Sequence, residues 1–101
     1  MIRVLLAEDQ GMMRSALALL LSLEDDIEVV AQVESGDRVL AAALAARPDV
    51  ALLDIEMPGR SGLDVAADLR SRLPACKVLM LTTFAGPATS AGRWRPGRAG
   101  S

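Results

Sequence analysis

Three largely apolar runs in this chain each end in groups that could hold a metal ion or a phosphoryl group. Ile2–Ala7 runs into Glu8 and Asp9. Val50–Leu53 runs into Asp54, followed by Ile55-Glu56-Met57-Pro58-Gly59. Val78–Leu81 runs into Thr82 and Thr83. In an open parallel sheet, ligands bind beyond the carboxyl ends of the strands. As neighbouring parallel strands, these runs would bring three carboxylates and a hydroxyl to one crevice. Such crowding of negative charge calls for a cation, and a donor set made only of oxygen suits magnesium or manganese.

The pattern between these runs supplies the elements needed to position them. Residues 2–7 read as a buried strand, apolar on both faces. Gln10-Gly11 breaks it. Met12 to Leu23 reads as a helix with apolar residues at 13, 16, 17, 20, 21 and 23, and Asp9 or a nearby polar group is a candidate cap. Ile27–Ala31 is a second strand. Ser35-Gly36-Asp37 opens a helix from Arg38 to Ala46, which Pro48 stops. Residues 49–54 form the third strand, and Met57 to Gly62 a loop by its Pro and Gly content. Leu63 to Leu73 is a third helix with Leu63, Ala66, Ala67 and Leu69 expected inward, and residues 77–81 are the fourth strand. The alternation β-α-β-α-β-α-β implies a parallel sheet with helices on both faces.

Composition narrows the chemistry. The chain has 101 residues, is 51% hydrophobic and carries a net charge of −2. That suffices for one small core, and the charge is too near neutral to argue for a nucleic-acid or membrane partner. With Phe84 and Trp94 the only aromatics, the core must be aliphatic. The absence of His excludes imidazole chemistry, and the single Cys76 excludes an internal disulfide and reads as buried filler. The apolar stretch Leu17–Leu23 is too short to span a bilayer, so a soluble cytoplasmic protein is expected. From Ala85 to Ser101 there is no Leu, Ile, Val or Met, but four Gly, two Pro and three Arg; residues 85–101 are therefore expected to form a disordered tail.

Taken singly, each candidate has a plain structural reading. Glu8-Asp9 could be a solvated strand end and helix cap, Asp54 a turn residue, Met57-Pro58-Gly59 loop geometry, and Thr82-Thr83 ordinary strand sequence. Together, in this order and spacing, Glu8-Asp9, Asp54, Met57-Pro58 with Gly62 behind it, and Thr82 resemble the receiver domain of bacterial response regulators in two-component signalling. The likeness is nearest to the branch with a helix-turn-helix output domain and spans residues 1–84.

The resemblance implies a flavodoxin-like, doubly wound parallel sheet in the order 2-1-3-4-5. It implies that Asp54 accepts a phosphoryl group from a sensor histidine kinase. Mg²⁺ would be bound directly by Asp9 and Asp54, by Glu8 largely through water, and by the backbone carbonyl of Glu56. Thr82 would hydrogen-bond the phosphoryl oxygen. The chain is thus expected to be a signalling module of a family controlling transcription, and not an enzyme. No membrane partner and no direct nucleic-acid contact by this chain are expected.

Against the family pattern, this sheet is expected to be incomplete, with four strands and three helices. The fifth strand with its lysine and the last helices are expected to be missing. The only lysine, Lys77, precedes the fourth strand at the wrong end. The edge left at Val78–Leu81 would favour self-association.

Two alternatives stay open. Asp54-Ile55-Glu56 faintly resembles the aspartate motif of haloacid-dehalogenase-type phosphatases, although that family needs a second Asp where Glu56 stands. The chain could also be a non-functional fragment.

The tail carries a sign of its own origin. Read one frame over with third codon positions free, the codons from Pro87 onward can give Gly-Tyr-Leu-Arg-Arg-Ala-Leu-Ala-Ala-Gly-Ala-Arg-Gly-Phe. This resembles the family's fourth helix and the start of its fifth strand, so a frameshifted translation is expected after about residue 85. The genomic DNA beyond the Phe84 codon tests this: codons incompatible with that frame remove the idea.

Overall fold

Four of the apolar runs become parallel strands because each is long enough to cross a sheet and is covered by helices that the intervening segments form. The computed structural model describes residues 1–81; Thr82, the end of the 1–84 unit and the segment 85–101 lie outside the described residues. The elements run β1 (Ile2–Ala7), α1 (Gly11–Ser22), β2 (Ile27–Val33), α2 (Gly36–Ala46), β3 (Val50–Asp54), α3 (Gly62–Arg72) and β4 (Lys77–Leu81). The strands form one sheet in the order β2-β1-β3-β4, and every neighbouring pair is parallel. This is the expected flavodoxin-like arrangement as far as the described residues reach.

The order fixes where a ligand can sit. The chain leaves β1 toward β2, then crosses back to place β3 on the other side of β1. That reversal makes the β1–β3 junction the topological switch point of the sheet, where the flanking connections diverge and leave a crevice. Right-handed crossovers send α1 to one face of the sheet and α2 and α3 to the other. Accordingly, α2 touches α3, β1 and β2, whereas α1 touches β1 and β2.

The two faces are packed very differently. On the α2–α3 side, Leu5, Ala7, Ala51 and Leu53 from the strands meet Val39, Ala43, Val65, Ala66 and Leu69 from the helices, and all are buried. Cys76 belongs to this cluster, as expected of filler. Burial pushes its thiol pKa up, and Asp49 adds to the effect, so the sulfur is held in its unreactive form.

On the opposite side, α1 contributes no buried residue. Met12, Leu19, Leu20 and Leu23 are exposed. The periodicity of this helix correctly gives a helix, but its apolar stripe does not become core. A further correction concerns α3: Leu63 is exposed, as is Ala67, and the inward stripe is Gly62, Val65, Ala66 and Leu69. The helix begins at Gly62, and its buried positions follow the i, i+3, i+4, i+7 spacing from there.

Local signals set the helix ends. Ser61 caps α3, its hydroxyl accepting from the Asp64 N–H at 3.2 Å. Arg70 and Arg72 lie in the last turn, where positive charge complements the helix dipole. The expected cap on α1 is not made: Gln10 occupies that position, and no side chain bonds there. Arg47 ends α2 in the left-handed region at φ 52°, because the following Pro48 disfavours a further helical residue. The Arg3 guanidinium donates to the Ala46 carbonyl and so ties the foot of β1 to the end of α2.

The uneven packing makes a direct prediction. Leu69→Ala should cost about 2–5 kcal/mol, whereas Leu20→Ala on exposed α1 should change stability by no more than about 0.5 kcal/mol, both read from urea denaturation of the full chain.

Candidate functional site

The parallel register of β1 and β3 pairs Ala7 with Leu53, so Glu8 and Asp54 come next in their strands, side by side at the carboxyl rim. Asp9 follows directly. One carboxylate oxygen from each of Glu8, Asp9 and Asp54 lies within 4.8 Å of the other two. Glu8 is only 1% exposed and Asp54 only 4%, while Asp9 is exposed and opens the cluster to solvent. The structure therefore brings together the three acids expected from the sequence.

Glu8 is held from several directions. Its N–H donates to the Val33 carbonyl at 3.1 Å, extending the β1–β2 ladder by one bond. Its own carbonyl accepts from Arg14 Nη1 at 2.7 Å. Arg14 lies in the first turns of α1, where side chains lean toward the helix amino end and so reach the strand it follows. The Gln10 N–H donates to Glu8 Oε2 at 3.2 Å. Oε1 is buried without a hydrogen-bond partner among the described residues.

These surroundings push the Glu8 carboxyl above the ordinary carboxylate range. Burial is the main cause; the Gln10 N–H opposes it, and the carboxylates of Asp54 and Asp9 add to it. A buried carboxylate with an orphaned oxygen and two acidic neighbours is costly unless positive charge or protons compensate. An oxygen-only donor set with an unused buried lone pair fits a hard divalent cation such as Mg²⁺.

The loop after β3 completes the rim. The Gly62 N–H donates to the Ile55 carbonyl at 2.8 Å, closing the loop at its base. A Cβ at Gly62 would collide with the Asp54 carbonyl oxygen and lie 2.9 Å from the Ile55 Cα. Only glycine lets α3 start so close to the strand end that bears Asp54. Gly59 takes φ +82° within the same loop. Glu56 sits between these points, its side chain exposed and not among the clustered carboxylates. Thr82 lies outside the described residues; the residue before it, Leu81, is the register partner of Asp54. Lys77 pairs with Val50 at the amino end of β4, a strand's length from Asp54, as its sequence position implies.

The profile of the response regulator receiver domain matches residues 4–93. The chain belongs to that family. The receiver domain is 51% identical over 87 residues to the uncharacterized transcriptional regulatory protein YvfU of Bacillus subtilis, covering 86% of this chain and 44% of that protein. It is 46% identical over 87 residues to the transcriptional regulatory protein DesR of the same organism, covering 86% of this chain and 43% of that one.

Among solved structures, a LuxR-family DNA-binding response regulator from Staphylococcus aureus superposes with a TM-score of 0.78 at 36% identity, covering 90% of this chain and 76% of that one. The signal receiver domain of the putative response regulator NarL from Mycobacterium tuberculosis gives a TM-score of 0.78 at 37% identity, covering 86% and 70%. This receiver domain thus spans less than half the length of those two curated relatives. Receiver domains are signalling domains, and the phosphatase-like reading of Asp54-Ile55-Glu56 finds no second clustered acid at Glu56. Among the described residues, no helix is long and apolar enough to cross a membrane.

Sequence reasoning missed two features of this site. One is Arg14, whose bond to the Glu8 carbonyl is signalled only by a basic residue one helical turn into α1. The other is the way α2 supports the loop after Asp54.

The raised Glu8 pKa gives a pH prediction with a definite sign. Folding strengthens proton binding at Glu8, so this contribution stabilises fully at and below about pH 4.5, the ordinary glutamate value, and is lost as pH rises through the higher folded value. In divalent-free buffer, Glu8→Gln should flatten that decline and be more stable than the parent at neutral pH. Saturating Mg²⁺ should reverse the ranking. Thermal melts across pH, with and without Mg²⁺, check both statements.

Proposed function

We propose that this receiver domain is the phosphoacceptor part of a two-component transcriptional regulator, with Asp54 as the accepting residue. The observation that carries the reading is the pairing of nearly buried Asp54 with Glu8 and Asp9 at the switch point of the sheet. Phosphoryl transfer asks chiefly for positioning and for neutralisation of charge. Asp54 is positioned by β3 and by the Gly62 closure behind it. A carboxylate oxygen of Asp54 attacks phosphorus as the bond from phosphorus to the donor histidine nitrogen of a sensor kinase breaks.

Asp9 and Asp54 are the direct protein ligands for Mg²⁺ in this reading, with Glu8 acting largely through water and the Glu56 carbonyl as the remaining protein oxygen. When bound, Mg²⁺ offsets repulsion between these carboxylates and the incoming phosphate oxygens. Thr82, next after the register partner of Asp54, supplies a hydrogen bond to the phosphoryl group. Control of transcription belongs to the whole regulator in this reading, as the names of the relatives suggest. A cytoplasmic location goes with this reading, since the domain would meet its kinase partner there.

Leu79 is 55% exposed on β4, which ends the sheet among the described residues. That edge supports pairing with a second copy.

Incubation of the full chain with acetyl phosphate and Mg²⁺ should add the mass of one phosphate. Asp54→Ala should remove that gain, and omission of Mg²⁺ should suppress it. Native mass spectrometry reads the gain and the subunit count together. No added phosphate on the parent chain, or an equal gain on Asp54→Ala, would overturn the assignment; a subunit count of one at all concentrations would sink the pairing.

A further inference from the structure

The loop between β3 and α3 is held at its far side by the head of α2. The Gly36 N–H donates to the Pro58 carbonyl at 3.0 Å. Gly36 is buried, and a Cβ there would collide with the Arg60 carbonyl oxygen while lying 2.6 Å from its carbonyl carbon and 3.0 Å from its Cα. All three are backbone atoms, so no rotamer change could relieve the clash. The Arg60 side chain also pairs with Asp68 of α3 at 2.9 Å, a partly exposed contact. A Cβ on Gly59 would also meet the Asp37 carboxylate, although that side chain can swing aside.

We infer that Gly36 is a positioning residue for the Asp54 site: its missing side chain lets α2 seat the loop that carries Glu56 away from the strand end. The inference rests on the phosphoacceptor reading above and adds to it a residue that is separate from the acidic cluster. The argument is geometric. The loop leaves Asp54, passes Glu56 and returns at Gly62, so it is fixed at its base by Gly62 and at its tip by Gly36. Moving the tip must move the carbonyls between them. Displacing groups that hold metal ligands in place typically lowers metal affinity by about 10–100-fold.

Mn²⁺ serves as the probe, with affinity measured by calorimetry on the full chain at a temperature where circular dichroism shows each variant folded. Gly36→Ala should weaken Mn²⁺ binding by about tenfold or more. Val39→Ala, one turn along α2 in the core and not itself part of the loop, should lower the melting temperature yet leave Mn²⁺ affinity unchanged. Gly59→Ala disturbs the loop from its own side with α2 intact, and should weaken Mn²⁺ in the same direction even if Gly36→Ala does not fold.

Parent-like affinity in a folded Gly36→Ala overturns the inference. So does equal loss in Val39→Ala, or parent-like affinity in Gly59→Ala should Gly36→Ala not fold. A parent chain that binds no Mn²⁺ removes the phosphoacceptor reading itself, and this inference with it.

Discussion

Crowding of like charge at the rim of two adjacent parallel strands is the constraint on which the rest of the structure turns. Glu8 and Asp54 are both nearly buried, and Asp9 stands beside them in solvent. Nothing about a hydrophobic core requires acids there, and burying them opposes folding. The surrounding structure is arranged around that cost. The Gln10 N–H bonds one Glu8 oxygen, and Arg14 holds the Glu8 carbonyl. The other Glu8 oxygen has no hydrogen-bond partner among the described residues.

The scaffold that enforces this crowding is largely a matter of chain order. Strands β1 and β3 are neighbours because the chain reverses its direction of winding after β2. The reversal separates the connections above β1 and β3 and leaves room at their ends. Glycines then bring the loop close: Gly62 where α3 meets the strand end, and Gly36 where α2 meets the loop tip. Neither contact tolerates a Cβ, so the geometry around Asp54 depends on atoms that are absent as much as on those present.

Much of this was legible in the sequence, and the reasons are physical. The central strands β1 and β3 are largely apolar runs and the edge strands β2 and β4 partly so, which made all four readable; acids placed just past such runs are conspicuous because they contradict them. The site acids therefore stood out, whereas the residues supporting them did not. Gly36 looks like an ordinary residue before a helix, since its role depends on Arg60, far along the chain. The inward face of α3 was misjudged because its helix starts at Gly62 and Leu63 points outward despite its hydrophobicity. Asp9 was read as a cap for α1, but its carboxylate is engaged with the cluster and Gln10 holds the capping position. Periodicity located α1 but could not tell how much of its stripe is covered, because coverage depends on neighbours and not on the helix itself.

The lopsided burial on the two sides of the sheet has a dynamic consequence. Local openings cost least where few apolar contacts must be broken. Helix α1 buries none of its residues, while β1 and β3 are clamped by α2 and α3 through Leu5, Ala7, Ala51 and Leu53. The amides of α1 should therefore exchange with solvent deuterium through partial unravelling, while those of the two acid-bearing strands remain protected until the whole domain comes apart.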